Sequence, residues 1–182
     1  SEMCIRDRSE AMTNCMHHAY EGENLPDACR KWWMFSREDA TSGRLQVVFC
    51  DLGIGIPKSL FRESDQVSDG WLDRLRNWIA RHVEGGKADD DALKIKAAIE
   101  IGQTRTKLQH RGKGLKQMVS TLDQIGDGDA SVEIISGNGM YRHRSRNKKV
   151  VENAFPLSHN RKTAIRGTLI NWSVPLPKRE AE

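Results

Sequence analysis

The residues best suited to chemistry follow a short apolar run. Leu45 to Cys50 reads L-Q-V-V-F-C, which predicts a buried strand, and Asp51 comes directly after it. Gly53 and Gly55 follow in D-L-G-I-G-I-P, and glycines let the backbone bend where a side chain would obstruct a ligand. A carboxylate at the end of a buried strand could accept a hydrogen bond from an exocyclic amine. On this segment alone, an ordinary turn is still the favoured interpretation.

A second set of polar residues lies near the start of the chain. Glu10, Asn14 and His18 recur every four residues, so in a helix they form one polar row. A solvated surface is the usual explanation of such a row, but one without Lys or Arg is an unusual choice for it. The opposite side of the same helix is apolar and predicts a core face, formed by Met12, Cys15, Met16 and Ala19.

The third set is a basic, glycine-containing segment. Gly112, Lys113 and Gly114 precede a helical pattern that begins at Leu115, and Arg111 stands just before them. The free N–H groups and the positive dipole end of a helix N-terminus favour phosphate. An isolated Gly-Lys-Gly at such a place is more often a plain turn, and the spacing is not that of a P-loop.

The remaining elements follow from periodicity. Helical spacing predicts helices at 71–83 and 93–101, and period-two patterns predict strands at 132–136, 140–144 and 165–174. Residues 32–35 are predicted as a strand or a buried turn, and residues 145–164 as a long connection. The last strand should present one face that contains Thr168, Ile170, Trp172 and Val174.

Composition limits the classes of protein. The chain has 182 residues, 37% hydrophobic and 30% charged, which fits one domain with a real core. Its formal charge of +4 forms no uniform stripe, so nucleic acid is not an expected partner, and the basic run 142–149 is interpreted as a solvated hairpin. Four cysteines without CxxC spacing predict a reduced, cytoplasmic protein. No apolar run approaches the ~20 residues that span a bilayer, so a soluble chain is expected.

Four motifs in order resemble the GHKL, or Bergerat-fold, ATPases. They are E-x-x-x-N-x-x-x-H from Glu10, D-L-G-I-G-I from Asp51, H-R-G-K-G-L from His110 and G-T-L-I-N-W-S-V-P-L from Gly167. The resemblance covers roughly residues 9–176. It is closest to the histidine-kinase and anti-sigma-kinase branches of the family, whose domains end near the Gly-Thr strand.

The resemblance implies ATP and Mg²⁺ as ligands and a role for each motif. Asp51 would accept a hydrogen bond from the adenine amino group, with Gly53, Gly55 and Ile56 admitting the flat base. Thr168 would line the base pocket, often through water. The phosphate end would be formed by Asn14 as the Mg²⁺ ligand, by Glu10 as the group that orients or deprotonates the attacking water or hydroxyl, and by Arg111, Gly112, Lys113, Gly114 and Leu115.

The fold that the resemblance implies is a two-layer α/β sandwich. Its sheet would be mixed but largely antiparallel, with helices on one face. We expect residues 9–182 to form one ATP-binding domain with a lid insertion at about 57–111. Residues 1–8, S-E-M-C-I-R-D-R, are interpreted as a non-native extension, because they resemble translated sequencing-adapter text.

Two functions are compatible with these motifs. The first is ATP hydrolysis or transfer of the terminal phosphate to a partner protein. The alternative is a nucleotide-gated interaction module with little or no turnover. The phosphate acceptor and the oligomeric state, a homodimer included, are left open by the sequence.

Overall fold

The computed structural model describes residues 19–20, 26, 30–61, 70–83, 90–101, 115, 119–122, 129–147, 149–158 and 164–176. Six strands and three helices have complete bounds within these ranges. The strands are β1 (Trp32–Asp39), β2 (Arg44–Asp51), β3 (Ala130–Gly137), β4 (Gly139–Arg146), β5 (Lys149–Pro156) and β6 (Ile165–Pro175). The helices are α1 (Ile56–Ser59), α2 (Trp71–His82) and α3 (Asp91–Ile101).

The six strands form one sheet in the order β1-β2-β6-β3-β4-β5. Every pairing between these strands is antiparallel. The described part of the chain is therefore an α+β structure with an antiparallel sheet, and the parallel pairing that a mixed sheet requires does not occur among these six strands. Strand β6 lies at the centre of the sheet, between β2 and β3, which come earlier in the chain.

The sheet has one buried and one open face. We call inner the face that contains Phe49, Ile134, Tyr141 and Ile170, and outer the face that contains their neighbours along each strand. Side chains alternate between the two faces with period two, so β3 reads as an alternation of buried and half-buried residues. The predicted face of β6 is confirmed, since Thr168, Ile170 and Trp172 are buried and Val174 is half-buried.

The core lies between the inner face and helical residues. Ile95 and Ile99 of α3 belong to the same apolar cluster as Val132 and Ile134 of β3. A smaller cluster joins Leu75 and Ile79 of α2 to Ala97 on α3. Helix α2 therefore lies in a layer outside α3, and both predicted helices are confirmed within one residue or two of their bounds.

Two predicted segments differ from the structure. Residues 145–164 were expected to be a connection, but this range contains β5, which pairs with β4 along its full length. Residues 32–35 do begin a strand, but β1 is an edge strand whose central six residues are exposed, so the buried turn is wrong. Edge strands gain backbone hydrogen bonds on one side only, and they need no buried side chains to form.

Candidate functional site

Asp51 is the last residue of β2 and lies on the inner face, directly opposite Thr168 on β6. Both side chains are buried, with 7% of each residue exposed. One carboxylate oxygen of Asp51, Oδ1, accepts a hydrogen bond of 2.8 Å from the backbone N–H of Gly53. The structure thus brings together the predicted strand end, the glycine loop and the Gly-Thr strand.

The surroundings of Asp51 disfavour its charge. Burial raises the pKa of this carboxyl above its ordinary value, although backbone N–H groups of Gly53 and Thr168 act in the opposite direction. A buried carboxylate needs hydrogen-bond donors to offset the loss of water. An incoming donor, such as an amine, would therefore be stabilised here more strongly than at an exposed carboxylate.

The two glycines of the loop are required by contacts within the protein. A Cβ at Gly53 would overlap the carbonyl oxygen of Ala19, which accepts a 2.7 Å hydrogen bond from the N–H of Ile54. Gly55 has a φ of +80°, and a Cβ there would lie 2.7 Å from the hydroxyl of Ser136. These surroundings explain both glycines by close packing of the loop, which differs from the predicted role of leaving room for a flat base.

Ser136, a residue that the sequence analysis missed, is fully buried and joins three segments. Its hydroxyl oxygen accepts a 2.9 Å hydrogen bond from the N–H of Ile56 and donates one of 2.8 Å to the carbonyl of Gly167. The hydroxyls of Ser136 and Thr168 are 3.1 Å apart. Because the carbonyl of Gly167 can only accept, it takes the single proton of Ser136, and the hydroxyl proton of Thr168 must point to Ser136.

This arrangement fixes the polarity of the site. Thr168 uses its proton on Ser136, so toward a ligand its oxygen can only accept a hydrogen bond. The ionised carboxylate of Asp51 can also only accept. The two groups that face each other across β2 and β6 therefore present acceptors, and the ligand group that suits them is one with N–H or O–H donors.

Tyr20 supports the same loop from another side. Its hydroxyl accepts a 3.1 Å hydrogen bond from the N–H of Leu52 and donates to the carbonyl of Lys31. Arg166 contacts the loop as well, because its Nε donates to the carbonyl of Leu52 at 3.0 Å. The turn after Asp51 is thus held by hydrogen bonds from three parts of the chain.

The other predicted site residues have different outcomes. Ile56 begins α1 and is half-buried, and Leu115 is helical, half-buried and packed against the main core. Glu10, Asn14, Arg111, Gly112, Lys113 and Gly114 lie outside the described residues. Across the ranges that the structure describes, no group of three His, Cys, Asp or Glu side chains could hold a metal ion.

Signals for the missed residues were weak in the sequence. Ser136 stands at the start of S-G-N-G, where its hydroxyl is typical of a turn. Its position two residues after Ile134 on a period-two strand did place it on the buried face, and a buried hydroxyl requires partners. Tyr20 carries no pattern of its own.

No family model matches the chain, and no match is found among curated proteins. Within the described ranges, none of the helices has the length and apolar character needed to cross a bilayer.

Proposed function

We propose that this chain is a Mg²⁺-dependent ATP-binding domain of the GHKL type, which hydrolyses ATP or transfers its terminal phosphate to a partner protein. The observation that carries the proposal is the buried carboxylate of Asp51 opposite the hydroxyl of Thr168. Two acceptors side by side suit an exocyclic amino group, which has two N–H donors. The six-stranded antiparallel sheet with helices on its inner face is compatible with the Bergerat fold.

In this proposal the adenine and phosphate ends are held by different segments. Asp51 accepts from the amino group, and Thr168 completes the base pocket directly or through water. Ser136 and Tyr20 position these two groups and the loop between them. Asn14 would hold Mg²⁺ through its amide oxygen, Glu10 would orient the attacking water or hydroxyl, and the segment from Arg111 to Gly114 would bind phosphate. When bound, Mg²⁺ would supply charge neutralisation between the phosphates.

Asp51→Asn tests the adenine pocket. Asn keeps an oxygen for the N–H of Gly53 but presents an amide N–H₂ where the carboxylate accepted, so donor would meet donor. We expect ATP affinity, measured by calorimetric titration with Mg²⁺, to fall by about tenfold or more, because a hydrogen bond to a charged group contributes about 1.5–3 kcal/mol.

Asp39→Asn is the matched control for the loss of one negative charge. Asp39 caps an exposed turn through hydrogen bonds from the N–H groups of Thr41 and Ser42, and it pairs with Arg44 at the end of β2 opposite Asp51. It should leave ATP affinity unchanged. Equal ATP affinity in wild type and Asp51→Asn would rule out the adenine pocket.

Glu10→Ala separates an enzyme from a nucleotide-gated module. Phosphate release that depends on Glu10, with ATP binding retained in the variant, supports hydrolysis or transfer. Tight ATP binding without phosphate release in either protein supports the gated module, and it leaves the pocket assignment intact.

A further inference from the structure

The outer face of the sheet carries a continuous apolar row. Direct cross-strand pairs connect its members, so that one row crosses all six strands. Five spacings of ~4.8 Å give it a length of about 24 Å. In order across the sheet, the members are Trp33, Cys50, Leu169, Ile135, Met140 and Phe155.

The row is accessible at both ends. Trp33 is 37% exposed and Phe155 is 38% exposed, while the four members between them are half-buried. Phe35 extends the apolar surface along β1 and is 61% exposed. Among the described helices, α3 packs on the inner face, and none is seated on this row. Contiguous apolar surface of this kind marks an interaction site.

The rest of the outer face is basic. All six Arg and Lys residues of β1 to β5 fall on it by the strand register, against two acidic residues of these strands, Asp39 and Glu133. The inner face has the opposite character, with Glu38, Asp51 and Glu152 as its charged carboxylates. The six basic residues are Arg37, Arg44, Arg142, Arg144, Arg146 and Lys149.

Two of these arginines already bind carboxylates. Arg142 contacts Glu133 at 2.6 Å, and Arg144 holds both oxygens of Asp129 at 2.7 and 2.5 Å. Guanidinium groups on this face are thus oriented for carboxylate recognition. After these two pairs, the face still has a positive excess that includes Arg37 and Arg146, both of them exposed.

We propose that the outer face binds an acidic amphipathic helix of a partner protein. Aromatic residues, Met and Arg are the residue types enriched at the centres of protein interfaces. A row of about 24 Å matches about 16 residues of helix at 1.5 Å per residue. Arg37 and Arg144 belong to an outer row about 14 Å to one side of the apolar row, so the carboxylates of the helix would lie along that flank.

Other occupants fit less well. Bases stack on aromatic rings, but the middle of the row consists of Cys50, Leu169, Ile135 and Met140, which offer none. A second copy would place the same basic excess against itself. A helix with apolar and acidic sides complements both parts of the face.

The proposed surface lies directly behind the candidate pocket. Cys50, Leu169 and Ile135 are the chain neighbours of Asp51, Thr168 and Ser136 and point to the opposite face of the same strands. The proposed surface does not rest on the proposed function, because none of its residues is assigned to ATP.

The probe is a fluorescein-labelled peptide of 18 residues, with leucines at helical spacing and glutamates along one flank. Fluorescence anisotropy with the full chain should give saturable binding. The Phe35→Ser/Phe155→Ser double variant should bind about tenfold or more weakly, because it removes exposed apolar anchors. Val150→Ser is the matched control, since Val150 is 48% exposed on β5 but lies on the inner side of that strand.

Charge is tested separately. Arg37→Glu/Arg146→Glu should weaken binding, whereas Arg74→Glu/Arg81→Glu on the exposed side of α2 should not. Far-UV circular dichroism and an unchanged unfolding midpoint establish that each variant is folded.

Four results would overturn the proposal. They are no binding of the peptide by wild type, equal binding when its glutamates are replaced by lysines, tighter binding of a 20-nucleotide single strand that depends on Phe35, and a dimer in sedimentation that Phe155→Ser abolishes. The last two would assign the face to nucleic acid or to a second copy.

Discussion

The two faces of the sheet are built from the same strands but differ in almost every property. On the inner face, Asp51 and Ser136 are buried and their polar atoms are engaged within the protein. One residue away on the outer face, Cys50 and Ile135 are half-buried in an apolar row beside arginines. A strand therefore carries two different surfaces, and the inner one supplies its buried core residues.

The difference also appears in how charge is treated. On the inner face, Glu152 accepts hydrogen bonds from Tyr141 and His143, both of which are almost completely buried. On the outer face, four of the five arginines of β1 to β5 are exposed to solvent. Substitutions on the two faces of one strand should consequently have different costs, which the following predictions test from the largest effect to the smallest.

The largest contrast is expected between neighbours on β3. Ile134 is fully buried in the main core, whereas Ile135 is half-buried on the outer face. Ile134→Ala should lower the free energy of unfolding by about 2–5 kcal/mol through lost burial and a cavity. Ile135→Ala should cost about 1 kcal/mol. Urea unfolding followed by circular dichroism measures both, and equal losses would show that the outer face is covered like the inner one.

A second contrast on β3 concerns serine. Ser136→Ala removes the hydroxyl that bonds the N–H of Ile56 and the carbonyl of Gly167 in the protein interior. The free energy of unfolding should fall by about 1–3 kcal/mol. Ser131, half-buried on the outer face, is the control, and its replacement by Ala should change stability by at most about 0.5 kcal/mol. A loss from Ser131→Ala as large as that from Ser136→Ala would contradict the assignment of faces.

Two aspartates should respond to pH in opposite directions. Burial raises the pKa of Asp51, so the folded protein binds this proton more tightly than the unfolded chain does. Stability should fall as pH rises from the ordinary value of 3.8 through the raised folded pKa. Asp51→Asn removes this dependence and should be more stable than wild type at neutral pH, as measured by urea unfolding between pH 3 and 8.

Asp39 provides the opposite case. Hydrogen bonds from the side chain and backbone of Ser42 and the backbone of Thr41 lower its pKa. The stability that ionised Asp39 contributes is therefore present above pH 3.8 and is lost as pH falls through the folded pKa. Asp39→Asn should slightly destabilise the protein at neutral pH. If Asp51 and Asp39 changed stability in the same direction with pH, the carboxyl of Asp51 would not be desolvated.

The smallest effect concerns the edge of the inner face. Burial opposes ionisation of Glu152, but hydrogen bonds from His143 and Tyr141 outweigh it and keep the pKa of this carboxyl below its ordinary value of 4.5. Stability from Glu152 should be present above pH 4.5 and be lost as pH falls through the lower folded pKa. Glu152→Gln should flatten this part of the urea-unfolding profile. An unchanged profile would mean that the three side chains are not coupled.

Much of the fold could be predicted because its elements bury a periodic face. The strand that ends at Asp51, the alternation from Thr168 to Val174 and the helices at 71–83 and 93–101 all follow from that signal. Strand β5, K-V-V-E-N-A-F-P, buries neither face, because all eight of its residues are exposed, so it gives no alternation to detect. It forms because β4 offers it a ladder of backbone hydrogen bonds.

The site was harder to predict than the fold. Asp51 and Thr168 could be predicted as site residues from the motif resemblance, and the strand register places them opposite each other. The role of Ser136 depends on Ile56, 80 positions earlier, and on Gly167, 31 positions later, and no local pattern encodes such distances. Only the topology, with β6 between β2 and β3, brings the three segments together.

The hydroxyl of Ser136, whose hydrogen-bonding capacity is fully used, also influences which nucleobase the site would accept. Since Ser136 captures the proton of Thr168, a base that reaches this corner meets lone pairs from both Thr168 and Asp51. A purine with an amino group at this position supplies two N–H donors to these acceptors. A purine with a keto group at this position would place a further acceptor beside the two acceptors of a buried site. The repulsion between acceptors would exclude it even if its shape fitted. Under the proposed function, GTP should therefore compete poorly with ATP, and the selectivity would originate in a serine that the base never touches.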